Sequence, residues 1–302
     1  MPFFASPVDS TLLFFRDYVP SGVSFKPEQS WASQLTLVFL HGWPMSSRMW
    51  EHLLLPLCES YRFRCIAPDK RGFGRSDWNQ AATPTNLTWK TFTSDLIALL
   101  EHIDVQQFVF IGTSMGCNES LRAYQTSSRV RERCKGFVWL SPVMPYPLQT
   151  PDHPLSPPTD LWDSIIEGLR KSRSQFVADS LPGVFAMQAG NEVTPKVLEH
   201  YERIVADADS VAIEKTVSIF NESSEKELRN LSDTGSEIPI MILHGDADQG
   251  MPLEASAALI KDITPWADLK IYKNGGHGIY LTHAENVLID ILGFVQDLTP
   301  GH

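Results

Sequence analysis

The apolar run Phe108-Val109-Phe110-Ile111 stops abruptly at Gly112-Thr113-Ser114-Met115-Gly116, and a helix-like stretch from Met115 to Thr126 follows. A buried strand that turns at once into a helix leaves little room around the turn. Residues without side chains are needed on both sides, which is what G-x-S-x-G supplies. The serine between them is held above the end of the strand with its hydroxyl facing outward. The motif occurs once in the chain, and it constrains the fold as much as the chemistry.

A serine hydroxyl alone is a weak nucleophile near neutral pH, so Ser114 requires a base and a group that orients the base. Two later apolar runs end in suitable residues. Pro239-Ile240-Met241-Ile242-Leu243-His244-Gly245 is followed by Asp246-Ala247-Asp248, and Leu269-Lys270-Ile271-Tyr272 by Asn274-Gly275-Gly276-His277-Gly278. The order Ser, Asp, His, each just beyond a strand's carboxyl end, is one of the known chain orders of a nucleophile, acid and base set. Between the aspartates, Asp248 is favoured because it lies further into the loop, while Asp246 is placed to bond backbone N–H groups of the turn. His277, flanked by glycines, is the expected base. His244 at a strand end reads as an uncharged, hydrogen-bonded structural residue, and His283 as a capping or supporting one.

An oxyanion formed by serine attack needs two N–H donors, one from the residue after the nucleophile and one from the loop after an earlier strand. Met115 supplies the first. The earlier strand is Leu35-Thr36-Leu37-Val38-Phe39-Leu40 and its loop is His41-Gly42-Trp43-Pro44. Pro44 has no N–H, so the second donor is that of Trp43.

Strand and helix signals alternate through the first half: strands at residues 35–40, 63–67, 108–111 and 136–140, with helices near 49–60, 91–102 and 115–126. That alternation predicts an α/β chain, with a mostly parallel sheet and helices on both faces. The pattern breaks at Pro142, Pro145, Pro147, Pro151, Pro154, Pro157 and Pro158, which neither strand nor helix accommodates easily. From about residue 159 to 232 the periodicity is helical, as in Leu161-Trp162, Ile165-Ile166 and Leu169. The expected division is a core of residues 1–141 and 233–302 with an inserted helical cap over 142–232. Trp162, Phe185 and Met187 are the cap residues expected to bind substrate, with Phe176, Tyr201 and Phe220 as further pocket candidates.

The 25 basic and 36 acidic residues leave a net charge of -11, which argues against nucleic acid or an anionic membrane as partner. Four cysteines, without C-x-x-C spacing, read as buried hydrophobes in a reducing compartment. The apolar residues of the first twenty positions are broken by Asp9, Arg16 and Asp17, unlike a signal peptide, and no run supplies the roughly 18 apolar residues of a membrane span. N-x-S/T sequons stand at Asn86, Asn118, Asn221 and Asn230. Asn118 falls on the helix that follows the serine, where a glycan has no place, so a cytoplasmic location is expected. Gly72-Phe73-Gly74-Arg75-Ser76-Asp77 begins like a dinucleotide fingerprint but lacks its third glycine. With Asp69-Lys70-Arg71 before it, it reads as a turn held by charge pairs. No metal-binding spacing or phosphate loop occurs, so neither a metal nor another cofactor is implied.

The segments His41-Gly42-Trp43-Pro44-Met45-Ser46-Ser47-Arg48-Met49-Trp50, Asp69-Lys70-Arg71-Gly72-Phe73-Gly74-Arg75-Ser76, Gly112-Thr113-Ser114-Met115-Gly116 and His244-Gly245-Asp246-Ala247-Asp248 together resemble the α/β-hydrolase superfamily. The likeness is greatest to its esterase group, which includes the cofactor-free haloperoxidases or perhydrolases. The resemblance implies that the second aspartate of G-D-x-D, here Asp248, is the catalytic acid. Cys117 departs from the pattern, where another glycine is often found. The function implied is a serine hydrolase of small carboxylic esters or lactones. The superfamily also holds thioesterases, C–C bond hydrolases and ligand receptors that retain the triad, and fold likeness does not choose among them.

Overall fold

The structure, a computed structural model, describes residues 2–21, 35–78, 87–233 and 237–298. Its eight strands are β1 (Phe3–Ala5), β2 (Leu12–Tyr18), β3 (Thr36–Leu40), β4 (Arg64–Pro68), β5 (Phe108–Thr113), β6 (Cys134–Leu140), β7 (Ile240–Gly245) and β8 (Asp268–Tyr272). They form one sheet in the order β1-β2-β4-β3-β5-β6-β7-β8, parallel from β4 to β8, with β1 and β2 antiparallel at one edge.

The inner strands are mostly apolar and buried because both faces are covered. Alternate residues take opposite sides: Leu37 and Phe39 face one helical layer, Val38 and Leu40 the other. On the first side lie α1 (Glu51–Leu55), with Leu53 and Leu54, and the chain's last helix (Ala284–Leu298), with Val287, Ile291 and Val295. On the second lie α2 (Trp89–His102), α3 (Met115–Thr126) and a later helix (Ala257–Ile263), through Leu96, Leu121 and Ile260. The remaining helices are α4 (Ser128–Arg133), α5 (Leu161–Val184), α6 (Pro195–Ala206), α7 (Ser210–Val217), α8 (Glu225–Asp233) and α10 (Ile279–Thr282), so that Ala257–Ile263 is α9 and Ala284–Leu298 is α11.

Several local expectations change. The edge strands β1 and β2 carry no clean alternation: β1 is three residues long and β2 carries charges near its end. In the folded chain those charges are used: Asp17 takes a two-pronged hydrogen bond from Arg64 at 2.9 and 2.7 Å, and Arg16 donates to Ser47 Oγ at 2.9 Å. The helix expected at 49–60 is three short pieces, a 3-10 turn Ser47–Trp50, α1 and a π turn Pro56–Ser60. Pro56 stands at the second junction, where its missing N–H disrupts regular helical bonding. The segment 142–232 is largely helical. Leu228 and Leu231 of α8 enter the same cluster as Leu121, Ile238 and Ile260, while Leu169 and Leu181 of α5 and Tyr201 of α6 join the cluster of Leu37 and Phe39.

The turn after β4 is held by charge, through partners far along the chain. The Asp69 carboxylate accepts from the Ser47 and Arg75 N–H groups at 2.7 and 2.9 Å. Arg71 is wholly buried between Asp9 and Asp95, at 2.7 Å from each. Among the described residues no helix is long and apolar enough to cross a membrane, and no cluster of His, Cys, Asp and Glu is arranged to hold a metal ion.

Candidate active site

Ser114 links β5 to α3 with φ 53° and ψ −117°, a conformation that costs a non-glycine residue of order 1–3 kcal/mol. The surroundings enforce it. The Ser114 N–H bonds the Leu140 carbonyl of the neighbouring strand at 3.1 Å, and the Ser114 carbonyl accepts from the Cys117 N–H at 3.1 Å. Gly116 lets α3 press onto β3, for a Cβ there would lie 2.1 Å from the Leu40 carbonyl oxygen. Because the clash is with backbone that has nowhere to move, Gly116→Ala is expected to destabilise the fold by about 3 kcal/mol or more and to lower Tm by at least roughly 6 °C. Thermal melting followed by circular dichroism checks this. An unchanged Tm would contradict the close packing. Cys117, standing where a further glycine is often found, is accommodated: its buried thiol donates to the Gly112 carbonyl at 3.3 Å.

Asp248 lies in the loop after β7 with a fully buried side chain. Its Oδ1 accepts from the Gly250 and Met251 N–H groups, both at 3.0 Å. Its Oδ2 accepts from His277 Nδ1 at 2.8 Å. His244 Nε2 lies 3.6 Å from the same oxygen and donates instead to the Met251 carbonyl at 2.9 Å, which makes it a buried neighbour of the carboxylate. Asp246 does what a turn aspartate does. It is exposed, and its Oδ1 accepts from the Asn274 N–H at 2.6 Å, tying the β7 loop to the β8 loop. His283 is held by Thr282 Oγ1 at 2.9 Å and by the Lys273 carbonyl at 3.2 Å, a supporting contact away from Asp248.

Burial by itself would favour the neutral form of both Asp248 and His277. In each case the partner overcomes burial: the His277 charge and hydrogen bond hold Asp248 below the usual carboxylate range, and Asp248 in turn raises His277 above an ordinary imidazole. With Nδ1–H committed to the carboxylate, Nε2 is the ring nitrogen left to accept a proton. Among the described residues it has no hydrogen-bond partner. His277 is fixed in place by backbone, since Gly278 N–H bonds the Val184 carbonyl at 2.8 Å and Gly275 packs directly on Gly245.

His277 and Ser114 line one cavity of about 290 Å³, at the carboxyl ends of the strands and beneath the insertion. Its walls are apolar. Met45 and Met49 come from the core side, Tyr280 from one turn beyond His277, and Leu169, Phe176 and Leu181 from α5. Trp162 lines it as expected, stacked on Phe220 at 4.7 Å. Phe185 and Met187 do not. Phe185 is fully buried against Tyr201 and Tyr280, with its ring covering Gly278, and Met187 packs at the margin of the core cluster. Tyr201 is likewise core, whereas Phe176 and Phe220 reach the cavity. Tyr280 was not anticipated. It stands on the short helix α10 that begins two residues after His277.

The Gly42-Trp43 loop lies against the serine, with the position of a Gly42 Cβ only 3.2 Å from Ser114 Cβ. The Trp43 indole reaches away, donating to the Ile213 carbonyl at 3.1 Å. Neither the Trp43 N–H nor the Met115 N–H is taken up by an acceptor among the described residues, and Met115 is the first residue of α3, where helix N–H groups are free. Of the sequons, Asn118 is buried and bonded to Ser224 and to the Val143 carbonyl, so no glycan fits there. Asn86 lies outside the described residues.

Residues 36–284 match the family described as the alpha/beta hydrolase fold. The chain is 29% identical over 301 residues to a non-heme haloperoxidase of Rhodococcus erythropolis, covering 98% of this chain and 100% of that protein. It is 27% identical to a bifunctional esterase/perhydrolase of Acinetobacter calcoaceticus, covering 95% and 97% of the two chains. Among solved structures, a bromoperoxidase from Bacillus anthracis superposes with a TM-score of 0.82 at 27% identity, covering 97% of this chain and 99% of the other. The match over most of its length, with the sheet order and connections described above, makes this chain a member of the alpha/beta hydrolase fold family.

Proposed function

We propose that the protein is a serine hydrolase of small, neutral carboxylic esters or lactones. The observation that carries this reading is the buried Asp248–His277 pair, 2.8 Å apart, opening on the same apolar cavity as the strained Ser114. In this mechanism His277 Nε2 takes the proton from Ser114 Oγ as the oxygen attacks the carbonyl carbon. The Trp43 and Met115 N–H groups hold the negative oxygen that forms. His277 then protonates the departing alcohol, and water releases the acyl group from Ser114 by the same route in reverse. Asp248 stays ionised and holds the imidazole in the required tautomer.

Substrate class follows from the walls. Apart from His277, and Tyr280, whose phenol is kept neutral by burial, no described side chain lining the cavity can carry a charge, so a charged acyl group would lose its hydration without gaining a partner. The relative named as an esterase/perhydrolase supports ester chemistry in this chain. The test is pre-steady-state: with excess nitrophenyl ester, release of nitrophenol is expected to show a burst of about one equivalent per chain before the slower steady rate if deacylation limits turnover. Binding of the ester with no turnover would overturn the reading in favour of a receptor. Turnover confined to thioesters or to C–C cleavage would move it to another reaction class.

Acid pH should switch the enzyme off. His277 must be neutral to act as base, and its pKa is raised above the ordinary value of 6.5. The neutral fraction therefore falls as pH drops through that raised value, and kcat/KM is expected to fall with an inflection above about pH 6.5. A profile flat from about pH 8 to about pH 5, on an ester stable over that range, would exclude His277 as the base.

A further inference from the structure

The two proposed oxyanion donors belong to separate segments of the chain. Trp43 lies in the loop after β3, and Met115 opens α3. A hole that stabilises a developing oxyanion needs these N–H groups at a fixed spacing, and a shift of about 1 Å can cost about 100-fold in rate. Lys70, just after β4, makes polar contacts to both segments. Its Nζ donates to the His41 carbonyl at 2.6 Å and lies 3.0 Å from Glu119 Oε2, on the second turn of α3. Its own backbone N–H donates to His41 Nε2 at 2.9 Å, while His41 Nδ1–H bonds the Gly42 carbonyl at 2.9 Å. The loop is thus gripped through both its carbonyl and its ring.

Lys70 and Glu119 have side chains only 2% and 5% exposed. A buried ion pair is poor value as a source of stability. Desolvating two charges costs several kcal/mol each, and well-packed apolar replacements are often as stable or more so. Cavity and substrate do not account for the pair either, since neither residue lines the cavity that Ser114 and His277 share.

We propose that Lys70, paired with Glu119, is a positioning residue that sets the distance between the Trp43 and Met115 N–H groups. This rests on the serine-hydrolase reading and on those two donors as its oxyanion hole. Replacing Lys70 alone would strand a buried carboxylate, so the informative variant is the double replacement Lys70→Met with Glu119→Leu, which removes both charges. Paired substrates provide the readout: a nitrophenyl ester and the corresponding thionoester, whose sulfur accepts hydrogen bonds weakly and draws less from the hole.

The wild-type protein should favour the oxygen ester. The folded double variant should lose roughly 10- to 100-fold in kcat on that ester, with KM and the thionoester rate within about threefold, so that the preference for oxygen shrinks. A double variant that keeps both ester rate and oxygen preference would reduce the pair to a structural role and overturn the proposal. A parallel fall on both substrates would place the damage at Ser114 or His277 and overturn it as well. Failure of the underlying reading is separately visible. A wild-type chain that a fluorophosphonate does not label at Ser114 loses the hydrolase assignment, whereas one that is labelled there but shows no oxygen preference loses only the hole and, with it, the role of Lys70.

Discussion

Ser114→Ala is expected to lower ester kcat by about five to six orders of magnitude, to the residual rate that binding and oxyanion donors alone sustain. The change removes one oxygen from a residue that is only 9% exposed and opens no cavity of consequence. It also keeps a side chain in the same positive-φ conformation, so the backbone strain is unaltered. Tm and the far-ultraviolet circular dichroism spectrum should therefore stay close to those of the wild type. Loss of activity with loss of fold would not test the assignment, which is why both are measured on the same preparation. A folded variant retaining a tenth of wild-type turnover would remove Ser114 from the mechanism.

Asp248→Asn is expected to cost roughly four orders of magnitude in kcat, against less than about tenfold for Asp246→Asn. The asymmetry follows from who donates to whom. Asp248 Oδ1 is met by two backbone N–H groups, of Gly250 and Met251, so an asparagine there must keep its carbonyl oxygen on that side and turn its NH₂ toward His277. An NH₂ group can only donate. His277 Nδ1 must then accept, the ring proton moves to Nε2, and the nitrogen that should take the serine proton is already occupied. Asp246 needs only an acceptor for the Asn274 N–H, which an asparagine oxygen still provides. Steady-state kinetics on the two purified variants decide between them, and the reverse ranking would exchange their roles.

What the sequence made legible was the set of constraints that act locally. The strand-to-helix turn at Ser114, the loop place of Asp248 beyond the β7 strand, and the glycines around His277 are each imposed by backbone geometry within a few residues. All three positions were readable from their neighbours. The insertion was harder. Its helical period does not say which face meets the cavity, and Phe185 and Met187 sit at the same kind of spacing as Trp162 yet pack elsewhere. Nor does the period of α8 say that Leu228 and Leu231 pack against α3 and α9. β1 is only three residues long, β2 carries charge as edge strands do, and the hydrogen-bond partners of Arg16 and Asp17 lie more than thirty positions away. Lys70 illustrates the same limit: a turn held by charge pairs is legible in the sequence, but its partners Glu119 and His41, 49 and 29 positions away, are not.

In the proposed mechanism Ser114 is an activated nucleophile, with His277 as its base and Asp248 behind His277. The most direct test is fluorophosphonate labelling followed by peptide mass spectrometry on the wild type and on Ser114→Ala. One adduct per wild-type chain is expected, located at Ser114 and formed more slowly as pH falls through the raised His277 pKa, and no adduct in the variant. An adduct on any other serine, or none in the wild type, would contradict this mechanism.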